Sequence, residues 1–219
     1  MIYREIYKSA LNTENPEIVK RDAMKPWQRR VKRGVDILTS AVGLVALSPF
    51  MGIISVCLKL QNDGPIIFSQ ERIGMGGKPF TIYKFRTMTV KAEPEGPQLA
   101  VKEDDRTTTV GKFLREHHLD ELPQLWNVLK GDMSMVGPRP ERQYFIDKIM
   151  KYDSRYRYLY EIRPGVTSEA TSHNGYTDTM EKMLKRLDRD LYYLENRSLL
   201  MDWKIMAETG SSILFGKKF

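Results

Sequence analysis

At 219 residues the chain is long enough for one domain with an appendage, and 35 Lys and Arg against 28 Asp and Glu leave it a net charge of +7. That balance favours an anionic partner, whether nucleic acid, anionic lipid or a phosphorylated substrate. The single cysteine, Cys57, lies inside an apolar run, which excludes a disulfide framework and a cysteine-ligated metal centre and fits a reducing, cytosol-facing setting.

Residues 1–25 are polar with scattered apolar positions and carry no signal-peptide core ahead of a small-residue cleavage site, so they read as a surface arm or a short helix. A basic cluster follows, Lys25, Arg29, Arg30, Lys32 and Arg33, then Asp36, and after it an uncharged run from Ile37 to Leu58 closed by Lys59. A run of this length is enough for one membrane span, since a hydrocarbon core of about 30 Å needs roughly 20 helical residues. Ser48-Pro49 interrupts it near the middle, where a proline clashes with the preceding turn and frees the Val45 carbonyl, which the Ser48 hydroxyl can reach. Each arm is then about 16 Å long, half the hydrocarbon thickness. Basic residues flank both ends, so neither end has the better claim to be outside. A single span and a helix-break-helix hairpin that leaves by the face it entered both fit; a buried helix of a soluble core is the third reading.

The chain then turns polar. Asp63-Gly64-Pro65 reads as a turn, Ile66-Ile67-Phe68 as a short strand, and Gly74-Met75-Gly76-Gly77 as a hairpin turn into a strand over 79–86. The glycine spacing matches neither standard phosphate loop. On the second strand Lys84 and Arg86 share a face, as a solvated edge or as a cationic platform for phosphate oxygens. Residues 91–109 read as a loop and 110–119 as a short helix carrying Arg115.

Next come two adjacent carboxylates, Asp120 and Glu121, ahead of apolar Leu122, Leu125, Trp126 and Leu129 at helical spacing, with Pro123 in a first turn and Gly131 as a stop. The spacing predicts that the pair sits at the helix N-terminus, where free amides and the dipole favour a charged carboxylate. Capping alone would explain such a pair. Arg139, held between Pro138 and Pro140, has a stiff backbone suited to holding a guanidinium against an anion, or to a rigid surface turn.

Five stretches occur here in one order: Lys84-Phe85-Arg86-Thr87-Met88; Leu119-Asp120-Glu121-Leu122-Pro123-Gln124-Leu125; Asn127-Val128-Leu129-Lys130-Gly131-Asp132-Met133-Ser134; Val136-Gly137-Pro138-Arg139-Pro140; and Arg163-Pro164-Gly165-Val166-Thr167. Together they resemble the bacterial sugar transferase family, the small monotopic phosphoglycosyl transferases, over about residues 28–205. The resemblance implies transfer of a phosphosugar from a nucleotide diphosphosugar, with UDP as the expected carrier, to a polyprenyl phosphate such as undecaprenyl phosphate. UMP leaves, and a surface glycan is started on its lipid carrier. It also implies a membrane helix broken at Ser48-Pro49, which selects the hairpin and puts both ends on the cytosolic face of the bacterial inner membrane.

The chemistry agrees with the residues. A pyrophosphate repels an anionic nucleophile, so the site must offset charge with a divalent metal and fixed cations. Asp120, kept ionised by the helix start and nearby cations, is the expected nucleophile, forming a phosphoaspartyl intermediate. Glu121 is expected to coordinate Mg²⁺ or act as acid or base, with Asp120 a second candidate metal ligand. Lys84, Arg86, Arg115 and Arg139 are expected to bind phosphate oxygens or orient the pair. The chain departs from the family pattern over 168–176, which leaves the donor sugar open, and at His117 and His118, whose adjacent positions point apart on a helix.

Met180, Met183, Leu184, Leu187, Leu191 and Leu194 mark an amphipathic helix expected to pack on the core. Residues 199–215 are apolar but broken by Asp202, Lys204 and Glu208, so they are expected to lie at the membrane interface with Trp203 and Lys217-Lys218 at headgroup level. The expected fold is α-rich α/β in a monotopic membrane protein: an arm over 1–27, a re-entrant helix over 28–60, and a cytosolic catalytic domain over 61–219 with interfacial helices and a small sheet. The expected partners are the nucleotide diphosphosugar, polyprenyl phosphate and membrane lipids, with no nucleic acid; a homo-oligomer is left open. A membrane-anchored adaptor binding anionic lipid is the runner-up.

Overall fold

A computed structural model of the chain describes residues 22–61, 64–90, 92–93, 96–99, 104–170 and 177–215. The N-terminal arm up to 21, Lys217-Lys218 and the divergent residues 171–176 lie outside the described residues.

The first helix, α1 (Pro26–Gln61), is 36 residues long. Proline is well placed at its first position, where the missing N–H has no helical partner, and the Gln28 side chain reaches back to accept from the Lys25 amide at 2.9 Å. The helical turns of α1 run on through Ser48-Pro49 to Gln61, with Pro49 inside the helix. The Ser48 hydroxyl donates to the Val45 carbonyl at 2.8 Å, which satisfies one of the groups that proline disturbs and lets the turns persist across it.

Both sides of Pro49 nevertheless pack on one body. On the N-terminal side Lys32, Asp36 and Ser40, four residues apart, are buried, and Gly43 lies against the Leu125 side chain. On the C-terminal side Ile54 and Leu58 are buried with Phe85 and Leu114 in a cluster that draws in Met51, Leu119 and Leu122. The opposite face points outward: Val45 is 76% exposed, Ile53 63% and Val56 58%.

Strands β1 (Ile67–Ile73) and β2 (Pro79–Phe85) form an antiparallel hairpin that pairs Phe68 with Lys84. The turn between them holds Gly76 and Gly77 at φ 72° and 69°, a conformation glycine adopts freely, as the glycine cluster led one to expect. After α2 (Thr109–Glu116), capped by the Thr108 side chain, come a 3₁₀ turn over Leu119–Glu121 and α3 (Gln124–Lys130). Strand β3 (Ser134–Val136) pairs in parallel with β4 (Gly165–Thr167), giving two small sheets where one was expected. Gly137 and Gly165 meet so closely that a Cβ on either would strike the other's backbone.

Between β3 and β4 run α4 (Gln143–Met150) and a 3₁₀ helix (Ser154–Glu161). Helix α5 (Met180–Asn196) buries Met183, Leu187 and Leu191 of the expected stripe against α4 and the 3₁₀ helix, and Leu194 in a second cluster with Val136, Ile162 and Ile205. Helix α6 (Leu199–Phe215) leaves Leu200 and Trp203 exposed and buries Ile205. Asp202, read from sequence as an interruption, points inward: Lys32 of α1 pairs with it at 2.7 Å and the Tyr193 hydroxyl donates to it at 2.6 Å.

Candidate active site

The carboxylate pair does not cap α3. Its residues sit in the 3₁₀ turn before the helix, and the amides that would have received them are already taken. Leu122 donates to the Leu119 carbonyl, Leu125 to Leu122 and Trp126 to Pro123, so the first turn closes on backbone oxygens. His118 ends the preceding segment in the left-handed region, at φ 53° and ψ 20°, and its carbonyl accepts from Glu121. This turns the chain sharply enough to aim Asp120 and Glu121 back at β2.

What holds the turn there is Asn127, fully buried on α3. Its Nδ2 donates to the Thr81 carbonyl at 2.7 Å and its Oδ1 accepts from the Tyr83 amide at 3.1 Å, so α3 is stitched to the strand that carries Lys84. The far end of α3 is held as well: Arg33 of α1 donates to the Val128 and Leu129 carbonyls at 2.7 and 3.0 Å, and Arg163 to the Gly131 carbonyl at 2.9 Å. Asp36 of α1 accepts from the Met135 amide at 3.0 Å, tying the start of β3 to the same helix.

The two acids differ in kind. Glu121 Oε1 accepts from Lys84 Nζ at 2.5 Å and from Arg139 Nη2 at 3.3 Å. Burial works to raise its carboxyl, but the Lys84 and Arg139 charges outweigh burial and hold it well below the usual carboxylate range. Asp120 is 6% exposed, and among the described residues no hydrogen bond reaches its carboxylate. Burial pushes it up; Lys84 opposes that rise, the Glu121 charge adds to it, and Arg115 and His118 oppose it more weakly. The expectation that a helix start keeps Asp120 ionised is therefore corrected: with the amides occupied, only nearby cations favour its charged form.

Of the expected cations, Lys84 and Arg139 meet at Glu121. Arg115 donates to the Thr107 hydroxyl at 3.0 Å and acts on Asp120 through its charge alone. Arg86 is buried just beyond the end of β2 with its guanidinium against Gly64. His118, a departure from the family pattern, lies near both acids. Asn127 stood inside a quoted motif, and its signal was a polar residue on an otherwise apolar helix. The buried root residues Lys32 and Asp36 gave no signal beyond a charge cluster.

Among the described residues no group of three or more His, Cys, Asp or Glu could hold a metal. Asp120 and Glu121 are the carboxylates at the site that could join substrate phosphates in holding a divalent ion.

The bacterial sugar transferase family model matches residues 27–216. A UDP-N-acetylgalactosamine-undecaprenyl-phosphate N-acetylgalactosaminephosphotransferase of Aeromonas hydrophila is 41% identical over 186 residues, 85% of this chain and 44% of that protein. A UDP-glucose:undecaprenyl-phosphate glucose-1-phosphate transferase of Klebsiella pneumoniae is 42% identical over 180 residues, 81% of this chain and 39% of that protein. The exopolysaccharide production protein PSS of Rhizobium leguminosarum bv. phaseoli is 39% identical over 196 residues, 86% of this chain and 98% of that protein. The chain spans less than half the length of the first two and nearly all of the third. With a family model covering most of its length, the chain belongs to the bacterial sugar transferase family.

Proposed function

We propose that the protein transfers a sugar 1-phosphate from a UDP-sugar to undecaprenyl phosphate, or a similar polyprenyl phosphate, at the cytosolic face of the bacterial inner membrane. The observation that carries this reading is the asymmetry of the pair: Glu121 is committed to Lys84 and Arg139, while Asp120 is buried with no hydrogen bond to its carboxylate among the described residues. A nucleophile needs a free lone pair and little solvent around it. The relatives named for undecaprenyl-phosphate sugar phosphotransfer support the substrate class.

An Asp120 oxygen attacks the sugar-bearing phosphorus, a P–O bond forms, and the bond from that phosphorus to the bridging oxygen breaks. UMP departs with the bridging oxygen, leaving a phosphosugar on Asp120. An oxygen of the polyprenyl phosphate then attacks the same phosphorus, releasing the Asp120 carboxylate and the polyprenyl diphosphosugar. Lys84 and Arg139 hold Glu121 charged and in place and offer their remaining donors to phosphate oxygens. Asp120 and Glu121 would hold Mg²⁺, which would neutralise charge on the diphosphate. The apolar middle of α1 lies in the membrane, with both flanks on the body that holds the pair; this supports a helix that enters and leaves by one face and brings a lipid phosphate alongside.

The test is Asp120→Asn in purified full-length protein with Mg²⁺, undecaprenyl phosphate and a panel of UDP-sugars. UMP release and the trapped phosphosugar adduct should both vanish; adduct formation by the variant would overturn the nucleophile. No UMP release from the unaltered protein with any donor would favour a membrane-anchored adaptor instead.

A further inference from the structure

Apart from the pair, a dense cluster of buried charge lies behind the Arg139 turn. Glu141 is 5% exposed; its Oε1 accepts from Arg72 Nη1 at 2.7 Å and its Oε2 from Arg186 Nη2 at 2.6 Å. Asp190 stands four residues beyond Arg186 on α5, hence on the same helix face. It is 2% exposed, its Oδ1 has no hydrogen-bond partner among the described residues, and its carboxylate faces the backbone amide of Arg139. Helix α5 therefore grips the turn over 138–141 at two points. Arg186 holds the Glu141 side chain, and Asp190 meets the peptide of Arg139.

We propose that Asp190 is a positioning residue for sugar-phosphate transfer: together with Arg186 it fixes the backbone of Arg139 so that the guanidinium reaches Glu121. This rests on the reading of Arg139 and Glu121 as site residues given above. A buried acid with half its acceptor capacity unused costs stability that an apolar residue of similar size would not. What it supplies is a negative charge beside an amide whose own side chain is engaged at the catalytic pair.

The charged and titratable groups facing Asp190 come from each element around it. They are Arg186 from α5, Arg139 from the turn, Glu169 after β4, and Tyr156 from the 3₁₀ helix. Burial pushes its carboxyl up to about 7, the Arg186 charge and the Arg139 amide oppose that rise, and Glu169 adds to it. The ionised form is the one that grips the amide, so the hold strengthens as pH rises through neutrality.

The test measures kcat and KM for the UDP-sugar that the donor panel selects, from pH 5.5 to 9, on full-length protein. In the unaltered chain kcat/KM should rise with pH around 7. Asp190→Asn should keep the fold, lower kcat/KM about tenfold at pH 8, and flatten the rise, while the Asp120 adduct still forms. Arg186→Gln removes the charge that opposes protonation, so its rise should move to higher pH. Asp190→Glu should recover part of the lost activity. An Asp190→Asn profile that keeps both the height and the rise of the unaltered chain overturns the proposal, as does an Arg186→Gln rise that stays in place. Failure of the nucleophile reading would show separately, as an adduct on Asp120→Asn.

Discussion

Lys84 does two things with one ammonium group. It pairs with Glu121 and exerts the strongest opposing charge on the Asp120 carboxyl. Lys84→Met should therefore lower kcat about 100-fold, within the range for losing one electrostatic contact in an enclosed site, with a smaller effect on KM for the donor. Arg115→Lys should cost far less, because the Arg115 charge acts on Asp120 without a hydrogen bond. Rates of UMP release for the two variants check the order, and an equal loss would contradict the geometry. Much of this site was legible in the sequence: the adjacent acids, the strand lysine and the arginine between prolines were visible as residue types in a fixed order. The division of labour was not, because it depends on which amides the first turn of α3 leaves open. Backbone hydrogen bonds settle that, and no local pattern announces them. Asp190 was illegible for a related reason: it sits among the leucines of an amphipathic stripe, and nothing but the fold brings it to Arg139.

At the scale of the element, α1 shows what an apolar run can and cannot say. Its length, its proline and the Ser48 bond to Val45 were all readable; that the helix would continue through Pro49 was not, because a serine hydroxyl and the packing of both halves compensate for the proline. The outward face carrying Val45, Ile53 and Val56 and the inward faces carrying Lys32, Asp36, Ser40, Ile54 and Leu58 lead to a topological expectation. Maleimide should reach native Cys57 and a cysteine placed at Arg30 from the same side of inverted membrane vesicles. Labelling of the two from opposite sides would make α1 a simple span. Leu58→Ala, which empties a site 1% exposed in the cluster with Phe85 and Leu114, should destabilise by about 2–5 kcal/mol, as read from the thermal midpoint in detergent. The small sheets were visible as strands, but the parallel pairing of β3 with β4 was not, since it requires a close approach at Gly137 and Gly165 between segments far apart in sequence.

For the whole molecule, two buried acids set opposite limits on stability. Burial alone would raise Glu141, but the Arg186 and Arg72 charges hold it down at about 2. Its folded value lies below the unfolded one of 4.5, so its contribution is present above about pH 4.5 and is lost as pH falls through 2. Asp190 is raised, so its contribution is present below 3.8 and is lost as pH rises through about 7. The thermal midpoint should fall between about pH 4 and 7 in the unaltered chain and fall less over that range in Asp190→Asn. Release from membranes should require detergent and resist high salt, because the outward face of α1 is apolar while the buried ions at its root, Lys32 and Asp36, face the protein.

The contact of Gly43 with Leu125 joins the membrane helix to the short helix that begins just after the acids. On the proposed reading, side chains of the protein and not the lipid would set how high Asp120 stands above the hydrocarbon. The molecule would then act as a depth gauge: a phosphate floating at the wrong altitude would miss the carboxylate, and bilayers thinner or thicker than the native one should slow turnover of the proposed lipid acceptor while leaving the proposed first, water-borne half of the reaction untouched.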